Sequence, residues 1–169
     1  MSATIYDYAI PALKLGLTNL SALLGKAAAH AETRKVDSTV IADARLIVDM
    51  FPLKRQVQIA CDTAKGAAAR LAGVDVPKHD DTESTIPELQ ARIAKALAFI
   101  ESIQPEQVAG AETRDIVLKF PSITMNFTGH TYVTTFVLPN FYFHVMATYS
   151  ILRANGVDVG KNDYLGKIQ

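Results

Sequence analysis

Residues 53–73 read LKRQVQIACDTAKGAAARLAG. Leu53, Val57, Ala60, Ala64, Ala67 and Leu71 recur at three- and four-residue spacing, which puts them on one face of an α-helix. Pro52 stands just before this run and Gly73 just after it, the punctuation that opens and stops a helix. The same spacing returns on both sides. Leu13, Leu17, Leu20, Leu24 and Ala27 or Ala28 mark a first helix, expected from about Pro11 to Glu32 after an irregular segment around residues 6–9. Leu89, Ile93, Ala96, Leu97 and Ile100 mark a third, introduced by Thr85-Ile-Pro-Glu88 at capping-box spacing. Residues 139–155 read as a fourth, apolar nearly all round as a buried helix is, and closed by Gly156 in a left-handed cap. Residues 37–46 read as a connector with a short helical turn, 74–84 as a polar loop, and 157–169 as an irregular tail.

The period changes at residue 116. Ile116, Leu118 and Phe120 alternate with other residues, and so do Ile123, Met125 and Phe127, the pattern of strands. Pairing Phe120 with Ile123 also sets Leu118 opposite Met125 and Ile116 opposite Phe127. All six apolar side chains then share one face of an antiparallel hairpin. Pro121-Ser122 is a poor two-residue turn, because the favoured hairpin turns need a positive φ first, so a wider loop is expected. Residues 130–138 read as either helix or extended. The chain is therefore mainly α, a four-helix bundle with a small β-hairpin between helices 3 and 4, in one domain over residues 1–169.

Composition narrows the function classes. Lys plus Arg is 17 and Asp plus Glu is 17, whereas a nucleic-acid binder or a polybasic membrane anchor needs a basic excess. A near-neutral surface opposes self-association weakly. The single cysteine, Cys61, cannot close an internal disulfide, and no signal peptide is visible, so the cytoplasm is expected. No charge occurs between Phe120 and Leu152, but Pro121, Asn126, Gly129, His130, Pro139 and Asn140 interrupt that stretch. A membrane span wants about 20 mostly apolar residues in one helix. The stretch reads instead as core and subunit interface, since interface centres lose charge and gain aromatics. A homodimer is the expected partner arrangement.

Two stretches, ARLIVDMFPLKRQVQIACDTAKGAAARLAG at 44–73 and LPNFYFHVMATYSILRANGVDVGKNDYLG at 138–166, carry a resemblance. Together they resemble a bacterial domain-of-unknown-function family of the DinB/YfiT-like superfamily. The resemblance covers the whole chain. It implies an antiparallel four-helix bundle with a hairpin insertion, often dimeric, with no established activity. The wider superfamily includes metal-dependent thiol transferases that hold a divalent ion, zinc or nickel, with three histidines. One lies on helix 2 and two at i, i+4 on helix 4, a spacing that puts both on one helix face. Carried over, the second helix-4 ligand falls on His144, its partner on Asn140, and the helix-2 ligand on Gln58. Neutral amide oxygens are weak ligands for metals that favour imidazole and thiolate, so the site reads as degenerate.

His144 has two readings. It is a metal ligand or general base, or it is a buried histidine held by hydrogen bonds to Gln58 or Asn140; the second is preferred for metal, with a polar pocket for an organic ligand left open. Asp62 and Arg55 share the helix face of Gln58 and either line that pocket or form a partly solvated face. Tyr142, Tyr149 and Arg153 share a face of helix 4 and either hold an anionic ligand or pack, with packing preferred. Cys61 reads as a buried inert thiol. His30 and His79 read as solvent-exposed, and His130 approaches from the hairpin side or not at all. GVDVGK at 156–161 departs from a phosphate loop in spacing, in Asn162 and in its preceding helix. The function expected is therefore small-molecule binding in a bundle pocket near Gln58, Asp62, Asn140, His144 and Tyr149, or dimeric interaction. A metal-dependent hydrolase or thiol transferase with an altered site around His144 is the alternative.

Overall fold

The computed structural model describes residues 3–166. Helix α1 spans Ile5–Arg34, a short α2 spans Ser38–Asp43, α3 spans Leu53–Ala72 and α4 spans Ile86–Ser102. A single turn, α5, follows at Pro105–Val108, then a 3-10 turn at Ala111–Thr113 and the strands β1, Asp115–Lys119, and β2, Thr124–Thr128. The chain returns through one helical turn, α6 (Gly129–Thr131), a π-helical stretch at Tyr132–Val137, and α7 at Leu138–Ala154, and ends in α8 at Lys161–Leu165. The protein is mainly helical with one two-stranded antiparallel sheet. The long helices α1, α3, α4 and α7 pack on one another around a single apolar cluster. Among the described residues no helix is long and apolar enough to cross a membrane.

The stripes read from spacing are the buried faces. Leu13, Leu17, Leu20 and Leu24 of α1, Leu53, Val57, Ala60, Ala64 and Leu71 of α3, and Leu89, Ile93, Ala96 and Ile100 of α4 are all fully buried. Burying one such leucine or isoleucine contributes about 1.5–3 kcal/mol. The Thr85 hydroxyl accepts from the Glu88 backbone N–H, and the Glu88 carboxylate accepts from the N–H groups of Ser84 and Thr85. Four backbone and side-chain donors on Ser84 and Thr85 hold the Glu88 carboxyl down to about 2.

The first helix begins earlier than expected and runs through Pro11. Asp7 accepts from the Thr4 backbone N–H and hydroxyl at 2.8 Å, and Glu112 accepts from the Ile5 N–H at 2.9 Å. These satisfy donors that a helix start leaves orphaned. Ile5, Ala9 and Ile10 are buried, and this apolar burial outweighs the hydrogen bond that Pro11 removes. Farther along, α1 meets α7 closely: a Cβ on Gly16 would stand 2.4 Å from the buried ring of Phe141.

The hairpin has the register read from alternation, Ile116 opposite Phe127 and Leu118 opposite Met125. Phe120 and Ile123 exchange both backbone hydrogen bonds, at 2.9 and 3.3 Å. The loop is therefore the two residues Pro121-Ser122 and not a wider one, and neither takes a positive φ. Residues 130–138 are helical. Two further expectations need correction. Helix α7 is not buried all round: Tyr142, Phe143 and Met146 are exposed. The tail is not wholly irregular: Val157 and Val159 are buried, and α8 packs Tyr164 against Tyr149 at 6.0 Å between ring centroids. Residues 167–169 lie outside the described part.

Candidate functional site

Helices α3 and α7 run antiparallel, and two polar contacts tie them. His144 is buried, and its Nδ1 lies 2.7 Å from Gln56 Oε1. Gln56 Nε2 donates to the Phe51 carbonyl at 3.1 Å. A carbonyl accepts only, so this second bond orients the amide and leaves Oε1 facing the imidazole. His144 Nδ1 therefore carries the proton and donates. Burial, and then the charge of Arg55, push the imidazole down to about 4, so it is neutral at pH 7. One turn nearer the start of α7, Asn140 Nδ2 donates to Thr63 Oγ1 at 2.9 Å.

The partner of His144 is thus Gln56, not Gln58. Successive helix residues turn by about 100°, so residues 56 and 58 face in directions about 200° apart. Gln58 turns the other way: its Nε2 donates to Glu83 at 3.0 Å and its Oε1 accepts from Arg55 at 3.3 Å. Gln58, Asn140 and His144 each have a different partner, and the hydrogen bonds do not join them into one cluster.

A cleft of about 240 Å³ opens beside Asn140. Its polar lining is Arg55, Asp62, Thr63, Arg70 and Asn140, and its apolar wall is Ile59, Leu118, Phe120, Tyr132 and Phe136. Helix α3 supplies the polar floor, β1 supplies Leu118 at one rim with Phe120 just beyond the strand, and the π-helical stretch supplies Tyr132 and Phe136. Such wide turns recur at functional sites because they re-aim side chains that a regular helix would hold elsewhere. Arg70 donates to the Tyr132 hydroxyl at 3.2 Å. Its guanidinium lies over Gly66, where a Cβ would stand 2.5 Å from Nη1. Burial raises the Tyr132 phenol against the opposing pull of Arg70, so it stays a neutral donor and acceptor.

Behind Asp62 lies an ion network centred on one buried cation, its carboxylates partly open to solvent. Arg92, 1% exposed, reaches Asp62 at 2.8 Å, Asp81 at 2.9 Å and Glu83 at 3.1 Å. Burial opposes the guanidinium charge, but Asp62 and Glu83 overcome it and raise its pKa. Lys65 joins through Asp62 at 3.0 Å, and Arg55 pairs with Asp81.

The remaining candidates lie elsewhere. Tyr149 packs under α8. The His130 Nδ1 is 3.2 Å from the Tyr8 hydroxyl on α1. Cys61 is fully buried, and burial pushes its thiol up to about 12. His79 is only half-exposed, and its Nδ1 is buried. The sequence reading missed Gln56, Thr63, Arg70, Lys65 and Arg92. A signal existed for Arg92, which sits inside the stripe of Leu89, Ile93 and Ala96; a charge on a buried face must find counter-charges.

A family model described as "Domain of unknown function (DUF1993)" matches residues 5–165. The chain belongs to the DUF1993 family. The expected kinship is thereby borne out, and a solved structure supports it. This DUF1993 chain is similar to a crystal structure of a DinB family member protein from Shewanella denitrificans, at 45% identity and a TM-score of 0.89. The match covers 97% of this chain and 93% of that one. No curated protein matches.

A divalent ion does not fit the donors of this DUF1993 chain. Among the described residues no three His, Cys, Asp or Glu side chains stand together as a ligand set. With Nδ1–H donated to Gln56, His144 has Nε2 alone to offer a metal; Asn140 is tied to Thr63 through Nδ2, and the Gln58 amide is engaged with Glu83 and Arg55. One imidazole with two dispersed amides lacks the compact nitrogen and sulfur set that zinc or nickel requires.

Proposed function

We propose that this DUF1993 protein binds a small organic molecule, without metal chemistry, in the cleft between α3, the hairpin and the π-helical stretch. The observation that carries the reading is the lining of that cleft. Two arginines, an amide, a hydroxyl and one carboxylate face a wall of aromatic and aliphatic side chains. Ligand sites combine a few placed polar groups with apolar walls in this way. At about 240 Å³ the cleft suits a molecule below drug size. Its chemistry favours an acceptor or anionic head beside Arg55 and Arg70 and a flat apolar body against Phe120 and Phe136. Of the five ligand residues expected from sequence, Asp62 and Asn140 line it. The frame is the antiparallel four-helix bundle of α1, α3, α4 and α7, and the reducing cytoplasm suits its single buried thiol.

Benzoate tests the reading. Titrated into the full chain, it is expected to shift the Asn140 side-chain amide and Thr63 resonances saturably, and Arg70→Met is expected to weaken binding about tenfold, the worth of one charge-assisted hydrogen bond. Shifts that never saturate, or an unaffected Arg70→Met variant, would sink it.

A second reading rests on the exposed face of α7. Tyr142, Phe143 and Met146 are 37%, 57% and 47% exposed, and the exposed Phe51 lines a shallow pocket with Phe143. Contiguous exposed apolar surface on a soluble chain marks an interaction site, and a second copy of this near-neutral chain meets no charge repulsion there. Sedimentation at dilute concentration is expected to show a dimer that Phe143→Glu with Met146→Glu dissociates. A wild-type monomer would remove this reading and leave the cleft untouched.

A further inference from the structure

The polar groups of the cleft between α3, the hairpin and the π-helical stretch are unevenly spent. Arg55 pairs with Asp81 and donates to Gln58. The Asp62 carboxylate is held by Arg92 at 2.8 Å and by Lys65 at 3.0 Å. Arg70 has no ion-pair partner among the described residues, and its Nη1 donates to the neutral Tyr132 hydroxyl at 3.2 Å. Across the cleft and the ion network behind it, the cations Arg55, Lys65, Arg70 and Arg92 face the carboxylates Asp62, Asp81 and Glu83. The charge left over is that of Arg70.

Thr63 is the second unspent donor. Thr18, Thr33, Thr134, Thr135 and Thr148 each donate the hydroxyl to the carbonyl four residues back, which is how a helix absorbs that donor. Thr63 makes no such bond among the described residues. Its Oγ1 accepts from Asn140 Nδ2 at 2.9 Å, so the hydroxyl proton is still to be given. Thr63 is half-buried and lines the cleft.

Gly66 brings the two donors together. The Arg70 guanidinium folds back over it, where a Cβ would stand 2.5 Å from Nη1. Thr63 lies three residues before Gly66 on a neighbouring stripe of α3, a rise of about 4.5 Å. A cation and a hydroxyl donor about one helical turn apart suit two adjacent oxygen-bearing groups of one ligand.

We propose that the ligand of this cleft is a 2-oxo carboxylate with a flat apolar tail. Its carboxylate pairs with Arg70, its oxo group accepts from the Thr63 hydroxyl, and its tail lies against Phe120 and Phe136. This inference rests on the cleft being a ligand site. The carboxylate supplies the counter-charge that Arg70 lacks. The oxo oxygen only accepts, which matches a hydroxyl whose own oxygen already accepts from Asn140. An ammonium in the oxo position offers Thr63 no acceptor and is repelled by the surplus positive charge.

The test compares benzoylformate, phenylacetate and phenylglycine, titrated into the full chain at equal ionic strength and followed by the Asn140 side-chain amide resonances. These acids differ only in the group between ring and carboxylate, which is a carbonyl, a methylene or an ammonium-bearing carbon. Benzoylformate is expected to bind about fivefold more tightly than phenylacetate, the scale of one neutral hydrogen bond. Phenylglycine is expected to bind more weakly than either. Thr63→Val keeps the branched shape without the hydroxyl and is expected to bring the ratio of the first two affinities to about one. Thr63→Ser keeps the hydroxyl and is expected to retain the preference. The His144 resonances report that each variant is folded. If phenylacetate binds saturably but benzoylformate binds no tighter, or if the preference survives in Thr63→Val, the oxo group is not read: this inference fails and the cleft remains a ligand site. If none of the acids binds, the ligand site and this inference fail together.

Discussion

Acid is expected to destabilise this protein through His144. The imidazole is 7% exposed, donates to Gln56 at 2.7 Å, and is held at about 4 by burial and then by Arg55. In the unfolded chain a histidine titrates near about 6.5. Between those values the unfolded chain takes up a proton that the folded one refuses. The stabilisation is therefore complete above about pH 6.5 and is lost as pH falls through the interval, by up to about 1.4 kcal/mol per pH unit. Over the whole interval the loss is on the order of 3 kcal/mol. For a chain of this length that corresponds to roughly 6–12 °C in melting temperature. The assay is urea unfolding at several pH values between 7.5 and 4, with His144→Gln beside the wild type. Glutamine does not titrate, and its amide replaces the donor that Gln56 needs. Other acid-sensitive groups, Glu88 and His79 among them, contribute equally to both proteins and cancel in the difference. The wild type's margin over the variant is expected to shrink by about 3 kcal/mol from pH 7.5 to 4. A margin that does not change with pH would refute the assignment of His144 as a neutral, buried donor.

Two glycine substitutions are expected to behave oppositely. Gly129→Ala would bring a Cβ within 1.8 Å of the Ala111 carbonyl oxygen, a backbone atom that cannot swing aside. A loss of at least about 3 kcal/mol is expected in urea melts, at the severe end for single substitutions. Gly66→Ala meets only the free end of Arg70. Alanine's helix propensity gains about 1 kcal/mol, which offsets the lost Arg70–Tyr132 bond, so stability is expected to change by less than about 1 kcal/mol while benzoate binding falls about tenfold with the displaced guanidinium. A strongly destabilised Gly66→Ala variant, or one that binds as well as the wild type, would contradict this account of Arg70.

Spacing made the helices and the hairpin legible because each is a local period. A stripe at three and four residues is consistent with one helix face, and alternation at two residues fixes a strand register, since a slip by one would turn Leu118 and Met125 to the wrong side. Where long-range burial competes with local chemistry, local reading failed. Pro11 argued for a helix start, but the apolar contacts of Ile5, Ala9 and Ile10 carried the helix past it. Residues 139–155, apolar nearly all round, argued for a buried helix, yet Tyr142, Phe143 and Met146 face outward.

What the chain's residues determined alone was the class of fold and the hydrophobic faces, together with the absence of a convincing three-histidine set. Which polar groups meet was decided only by packing. Gln56 and Gln58 are the same residue type two positions apart, and nothing local distinguishes them. The docking of α7 on one side of α3 and of the acidic connection before α4 on the other sends one amide to His144 and its near neighbour to Glu83. A rotation of about 200° around a helix separates those outcomes, and that angle acquires meaning only when the neighbouring elements are in place.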